Sequence, residues 1–165
     1  MRRRVDKRRR REGKTDYKAR LKLLESGLPR IVVRKSNRYV LAQYITSEDA
    51  RDKILIGASS KELLKSGWPK NAQGSLKSLP ACYLTGLLLG KKIKEKVKKE
   101  KVKAILDIGL MRNIKKSRIY SLLKGVVDSG VEINHKKEIF PDEKRIRGEH
   151  LKNKINFQEI KNKVL

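Results

Sequence analysis

LPRIVVRKSNRYVLAQYI, residues 28–45, holds two apolar runs on either side of a short polar turn. Ile31, Val32 and Val33 are β-branched, and Tyr39, Val40, Leu41, Tyr44 and Ile45 continue the bias toward strand. Ser36 and Asn37 lie between the runs, so the stretch predicts a β-hairpin, although Ser-Asn is a weaker turn signal than Asn-Gly. A two-residue turn sets Lys35 opposite Arg38, Arg34 opposite Tyr39, Val33 opposite Val40 and Arg30 opposite Gln43. Side chains alternate across a strand, so Ile31, Val33, Val40, Ala42 and Tyr44 share one face. Arg30, Arg34, Tyr39 and Gln43 share the other with Val32 and Leu41. One face is built to pack a core and the other to meet phosphates and bases.

The charge points the same way. Of 165 residues, 44 are Lys or Arg and 18 are Asp or Glu, a formal net charge of +26, while hydrophobic residues make up only 38%. Self-repulsion of that size opposes a compact monomer and implies a polyanionic partner. No apolar run reaches the roughly 20 residues of a membrane span, and the basic N-terminus has no apolar segment behind it, so neither a membrane nor a signal peptide is expected. The one cysteine, Cys82, fits a reducing cytoplasm and reads as a small buried apolar residue.

Upstream of the hairpin, MRRRVDKRRRRE (residues 1–12) carries Arg2, Arg3, Arg4, Arg8, Arg9, Arg10 and Arg11. Such a block buries nothing and is expected to stay extended or disordered until it meets nucleic acid. Thr15 is the expected cap of a short helix with Tyr17, Leu21 and Leu24 at helical spacing, ended by Gly27 and Pro29. Downstream, Ser47, Glu48 and Asp49 read as a polar turn and Lys53 to Ala58 as a third antiparallel strand. Residues 59–78 form a looser region with a short helix at Lys61 to Lys65. In it Trp68 stands among lysines, either stacking on RNA bases or covering the edge of a core.

Pro80 opens the strongest helix, expected to run to about Lys99, with Gly86 and Gly90 inviting close packing on the sheet and a lysine-rich second half projecting beyond the core. Ala104 to Ile108 reads as a parallel strand added by the crossover. A basic loop then leads to a helix from Ser117 to about Asp128, and Val131 to Ile133 suggest a last short strand. The remainder is polar, with one or two helices near Glu143–Lys152 and Asn156–Val164. The division is thus a basic extension (1–14), an α/β domain of mixed sheet (15–133) and a polar helical arm (134–165).

No catalytic constellation is present. His135, His150 and Cys82 have no metal-binding spacing, there is no phosphate-binding glycine loop, and Asp107 is the one acid inside a strand, which cannot build a two-metal site. It reads as a structural carboxylate accepting hydrogen bonds from the following loop. No catalytic residue, metal or cofactor is expected.

In order, LPRIVVRKSNRYVLAQYI, ILIGASSKEL, LPACYLTGLLLGKKI, AILDIGL and KRIRGEHL resemble the archaeal large-subunit ribosomal proteins of the L-eighteen family, which bind 5S rRNA and are related to the eukaryotic L-five protein. The resemblance runs over roughly residues 7–150. At residues 106–109, LDIG stands where the bacterial form has an FDRG-like sequence, so that arginine has no counterpart here. The resemblance implies a ribonuclease-H-like fold without catalysis, a cytoplasmic place in the large subunit, and contact with 5S rRNA, 23S rRNA and the L-five-type neighbour in the central protuberance.

On this reading Arg30, Arg34, Lys35, Asn37 and Arg38 grip phosphates, while Tyr39 and Gln43 approach sugars or bases. Lys61, Trp68 and Lys70 extend the surface, and Arg112, Lys115 and Lys116 add phosphate contacts. A general structured-RNA or DNA binder outside the ribosome is the alternative, although no helix-turn-helix, zinc finger or zipper is evident. A nuclease would need a metal site that the acids do not supply.

Overall fold

A computed structural model describes residues 5–98, 101–151 and 155–164. The stretch from Pro29 onward forms β1 (Arg30–Lys35) and β2 (Val40–Glu48), followed by β3 (Arg51–Ser59), all antiparallel. The hairpin register corrects the expectation. Lys35 pairs with Val40 and Val33 with Ala42, so the turn spans four residues, Ser36 to Tyr39. The Ser36 hydroxyl stabilises it by accepting from the Tyr39 amide at 2.9 Å. The slip is two residues, one full period of a strand, so the division of faces survives. At the next hairpin Glu48 pairs with Arg51, and Asp49 and Ala50 both take positive φ, at 50° and 60°, the conformation of a tight type I′ turn.

β4 (Lys103–Asp107) runs parallel to β1, and β5 (Glu132–Ile133) parallel to β4, giving the strand order β3-β2-β1-β4-β5. Ile31, Val33, Ala42, Tyr44, Ile56 and Ala58 form a covered sheet face. The core they share includes residues of α3 (Leu79–Val97) and α4 (Arg118–Asp128). These two helices lie side by side in the same direction: the Ser121 hydroxyl donates to the Leu79 carbonyl at 2.8 Å, and the Tyr83 hydroxyl to Asp128 at 2.8 Å. The close approach expected of Gly86 and Gly90 is made onto α4, not onto the sheet. A Cβ at Gly86 would lie 2.1 Å from the Leu122 carbonyl oxygen, and one at Gly125 would lie 2.1 Å from that of Tyr83.

The lysine-rich half of α3 does not project. Ile93 is fully buried, Lys92 bonds Glu62 at 2.5 Å, and Lys96 donates to the Leu55 carbonyl at 2.7 Å, which ties this half along β3. Lys99 lies outside the described residues. The tail also folds back. Ile146 of α5 (Glu143–Arg147) and Ile160 and Val164 of α6 (Phe157–Val164) enter a second apolar cluster with Leu63, Trp68, Leu76 and Leu84. At the other end, α1 (Arg8–Arg11) is a single turn and α2 (Tyr17–Glu25) is capped by Asp16, not Thr15. No residue of α2 is buried, and Arg20 pins it to Asp52 at 2.9 Å.

Candidate nucleic-acid interface

The open sheet face is organised by one buried arginine. Arg30 is 2% exposed; its guanidinium donates to Asp107 at 3.0 Å, to Ser47 at 3.0 Å and to Asp52 at 2.5 Å. Burial works to raise the Asp52 carboxyl, but hydrogen bonds from Ser47, Arg30 and Arg20 and the charge of Arg30 outweigh it and hold it below the usual value. Arg30 therefore leaves the set of phosphate contacts: its buried guanidinium is spent on Asp107 inside the fold and on Ser47 and Asp52 at the rim. Asp107 accepts from the Gly109 amide at 2.9 Å, as a structural carboxylate should, and also from Arg34 at 3.2 Å. Gly109 takes φ +60°, and a Cβ there would stand 3.0 Å from the Arg34 guanidinium carbon.

Trp68 is the second correction. It is 2% exposed in the second apolar cluster, and its indole N–H donates to the Ala72 carbonyl at 3.0 Å, so neither ring face is available to a base. Lys70, beside it in sequence, is exposed at the start of a 3-10 turn. Gln43 is half-buried on the open face between Val32 and Gly57.

The remaining cations gather at the carboxyl end of β1. Arg34, Lys35, Asn37 and Arg38 are exposed on the last residues of the strand and its turn. The Lys61 ammonium lies 4.5 Å from the centre of the half-buried Tyr39 ring, which brings the 3-10 turn at Ser60–Leu64 beside the hairpin. Lys35 also shares a cavity of about 560 Å³ with Arg112 and Lys116 from the loop after β4. Lys116 is paired with Asp142 at 3.1 Å and Lys115 with Glu138 at 3.8 Å, both pairs being exposed. Exposed pairs of this kind contribute little to stability.

Sequence reasoning missed Arg118 and Arg145, which line the same cavity. The signal available was the Ser117-Arg118 start of a helix directly after the basic loop; nothing in the sequence placed Arg145 there. Of the N-terminal arginines, Arg9 donates to the Thr15 hydroxyl at 2.9 Å, while Arg8, Arg10 and Arg11 are exposed. Arg2, Arg3 and Arg4 lie outside the described residues. Among the described residues no cluster of His, Cys, Asp and Glu could hold a metal ion, and no helix is long and apolar enough to cross a membrane.

The sequence pattern of the family described as "Ribosomal large subunit proteins 60S L5, and 50S L18" matches residues 1–104 and 95–136. The chain is 51% identical over 144 residues to the large ribosomal subunit protein uL18 of Korarchaeum cryptofilum, covering 87% of this chain and 70% of that one. It is 50% identical over 151 residues to the protein of the same name from Methanococcus maripaludis, covering 91% and 74%. A third relative, uL18 of Methanothrix thermoacetophila, is 50% identical over 146 residues, covering 88% and 82%.

Proposed function

We propose, from the premise that this chain belongs to the family of ribosomal large subunit proteins 60S L5 and 50S L18, that its cationic end grips 5S rRNA and fastens it to 23S rRNA. The protein is a structural, non-enzymatic constituent of the large ribosomal subunit and works in the cytoplasm. Its strand order supports the ribonuclease-H-like reading of the fold. The observation that carries the RNA reading is the convergence of Arg34, Lys35, Arg38, Lys61 and Arg112 at one end of the sheet, with no acid in the β1–β2 turn to oppose them. Fixed guanidinium and ammonium groups of that density hold phosphates by charge and shape, and Tyr39 and Gln43 add contacts to sugar or base. Residues 1–14 serve as a basic extension that orders along the RNA. The neighbouring L-five-type protein, which the family resemblance implies binds the same RNA, is the expected protein partner.

The test is binding to 5S rRNA, tRNA and duplex DNA of similar length across a salt titration. Selective 5S binding whose salt slope flattens when residues 1–12 are removed supports the proposal, since each lost phosphate contact lowers the slope by about 0.9. Equal affinity for all three would replace it with a general polyanion binder.

A further inference from the structure

The parallel arrangement of α3 and α4 brings two helix N-termini to the same end of the molecule. Each is preceded by a serine, Ser78 and Ser117, and neither side chain caps its helix. Both hydroxyl oxygens are buried, without a hydrogen-bond partner among the described residues, and both serines line the 560 Å³ cavity. A buried hydroxyl without a partner is costly, so neither helix start is fully satisfied by the residues around it.

Charge at the cavity points to an anion. Each N-terminus carries roughly half a positive charge, and like ends set side by side repel. Lys35, Arg112, Lys116, Arg118 and Arg145 surround them, and the one acid bonded to this group is Asp142, on Lys116. The first-turn amides of Leu79, Ala81, Arg118 and Ile119 have no carbonyl within their own helices to bond. Pro80 has no amide to offer, which leaves α4 as the richer donor. The cavity also sits where the chain leaves β1 toward β2 and leaves β4 toward α4 and β5, so the connections diverge past the carboxyl ends of two neighbouring parallel strands and open a crevice. Apolar side chains line it as well: Leu79, Met111, Ile114, Ile119 and Leu151.

We propose that this cavity captures one unstacked nucleotide of the bound RNA, its phosphate between the two helix starts and its base against the apolar lining. This rests on the RNA-binding reading above and adds a site to it. Arg118 and Arg145 clamp the phosphate, and the unbonded first-turn amides of Arg118 and Ile119 donate to its oxygens.

The test uses the full chain with adenosine 5′-monophosphate, adenosine and inorganic phosphate as probes, followed by amide NMR, and 5S rRNA in parallel. The nucleotide is expected to shift the amides of Leu79, Ala81, Arg118 and Ile119, with adenosine binding about tenfold or more weakly. Arg118→Ala with Arg145→Ala is expected to abolish the shifts. It should also weaken RNA binding about tenfold more than Lys101→Ala with Lys103→Ala, which removes equal charge at the opposite end of β4. No shift at those four amides overturns the site, and shifts by inorganic phosphate equal to those by the nucleotide overturn its base-holding half. RNA affinity that falls equally in both double variants overturns the captured nucleotide but leaves the RNA-binding reading intact. A wild-type chain that binds the nucleotide yet no RNA overturns that reading, and with it RNA as the source of the phosphate.

Discussion

Arg30 reaches from β1 to Asp107 on the adjacent parallel strand, Nη1 to Oδ2 3.0 Å apart, and closes the open sheet face from within. Replacing Arg30 by Met leaves Asp107 and Asp52 each short of a cation. Urea denaturation is expected to show a loss of about 3 kcal/mol, the usual consequence of removing one member of a buried charged group. Arg34→Met, at a half-exposed position, is expected to cost under about 1 kcal/mol yet weaken RNA binding. Equal stability of the two variants would refute the division between structural and RNA-facing arginines.

Gly86→Ala pits helix propensity against space. Alanine favours an α-helix by roughly 1 kcal/mol over glycine, but the new methyl would lie 2.1 Å from the Leu122 carbonyl oxygen of the facing helix backbone. Space wins. We expect a net loss of about 2–3 kcal/mol as α3 and α4 are forced apart, read as a lower thermal midpoint. A raised midpoint would mean that the helices do not meet at this glycine.

Acid should unfasten α2 from the β2–β3 turn. The Asp52 carboxyl titrates below its ordinary value of 3.8 in the folded chain, so its contribution is present above that value and lost as the pH falls through the lower folded one. Stability measured from pH 5 to pH 2 is expected to fall less steeply in Asp52→Asn, after allowing for that variant's lower starting point. An unchanged slope would remove Asp52 from the linkage.

Cys82 is completely buried, and burial pushes its thiol up to about 12 against the opposing charges of Arg118 and Lys35. At pH 8 it should resist iodoacetamide in the native chain and react fully in urea, because the thiolate is the reactive form. Rapid native labelling would show that the start of α3 opens readily.

Residue pattern carried the sheet further than its details. Alternation assigned the two faces of the hairpin correctly even though the turn was two residues longer than predicted, because a slip by one strand period leaves every side chain on its face. The crossover strand at Lys103–Asp107 and the helix behind the basic loop were equally legible. What pattern did not show was pairing across distance. Arg30 reads as a phosphate ligand until Asp52 and Asp107 arrive beside it from two other strands, and Trp68 reads equally as a stacking platform or a core edge until the second apolar cluster decides for the core. Phe157, Ile160 and Val164 do stand at the i, i+3, i+7 spacing of an apolar helical stripe, but the charged composition around them and the isolated Ile146 make the tail read as a polar arm.

That tail has a temporal meaning. The pocket around Leu63 and Trp68 is finished by side chains roughly a hundred residues later in the chain, a long closure that must follow synthesis of α6. Strands β1 to β4, with the turns and the basic loop that carry most of the proposed RNA contacts, are all made before then. A nascent chain halted before Phe157 therefore holds its cationic end complete while a patch of apolar surface lies uncovered, and a hydrophobic dye would report the interval between the two.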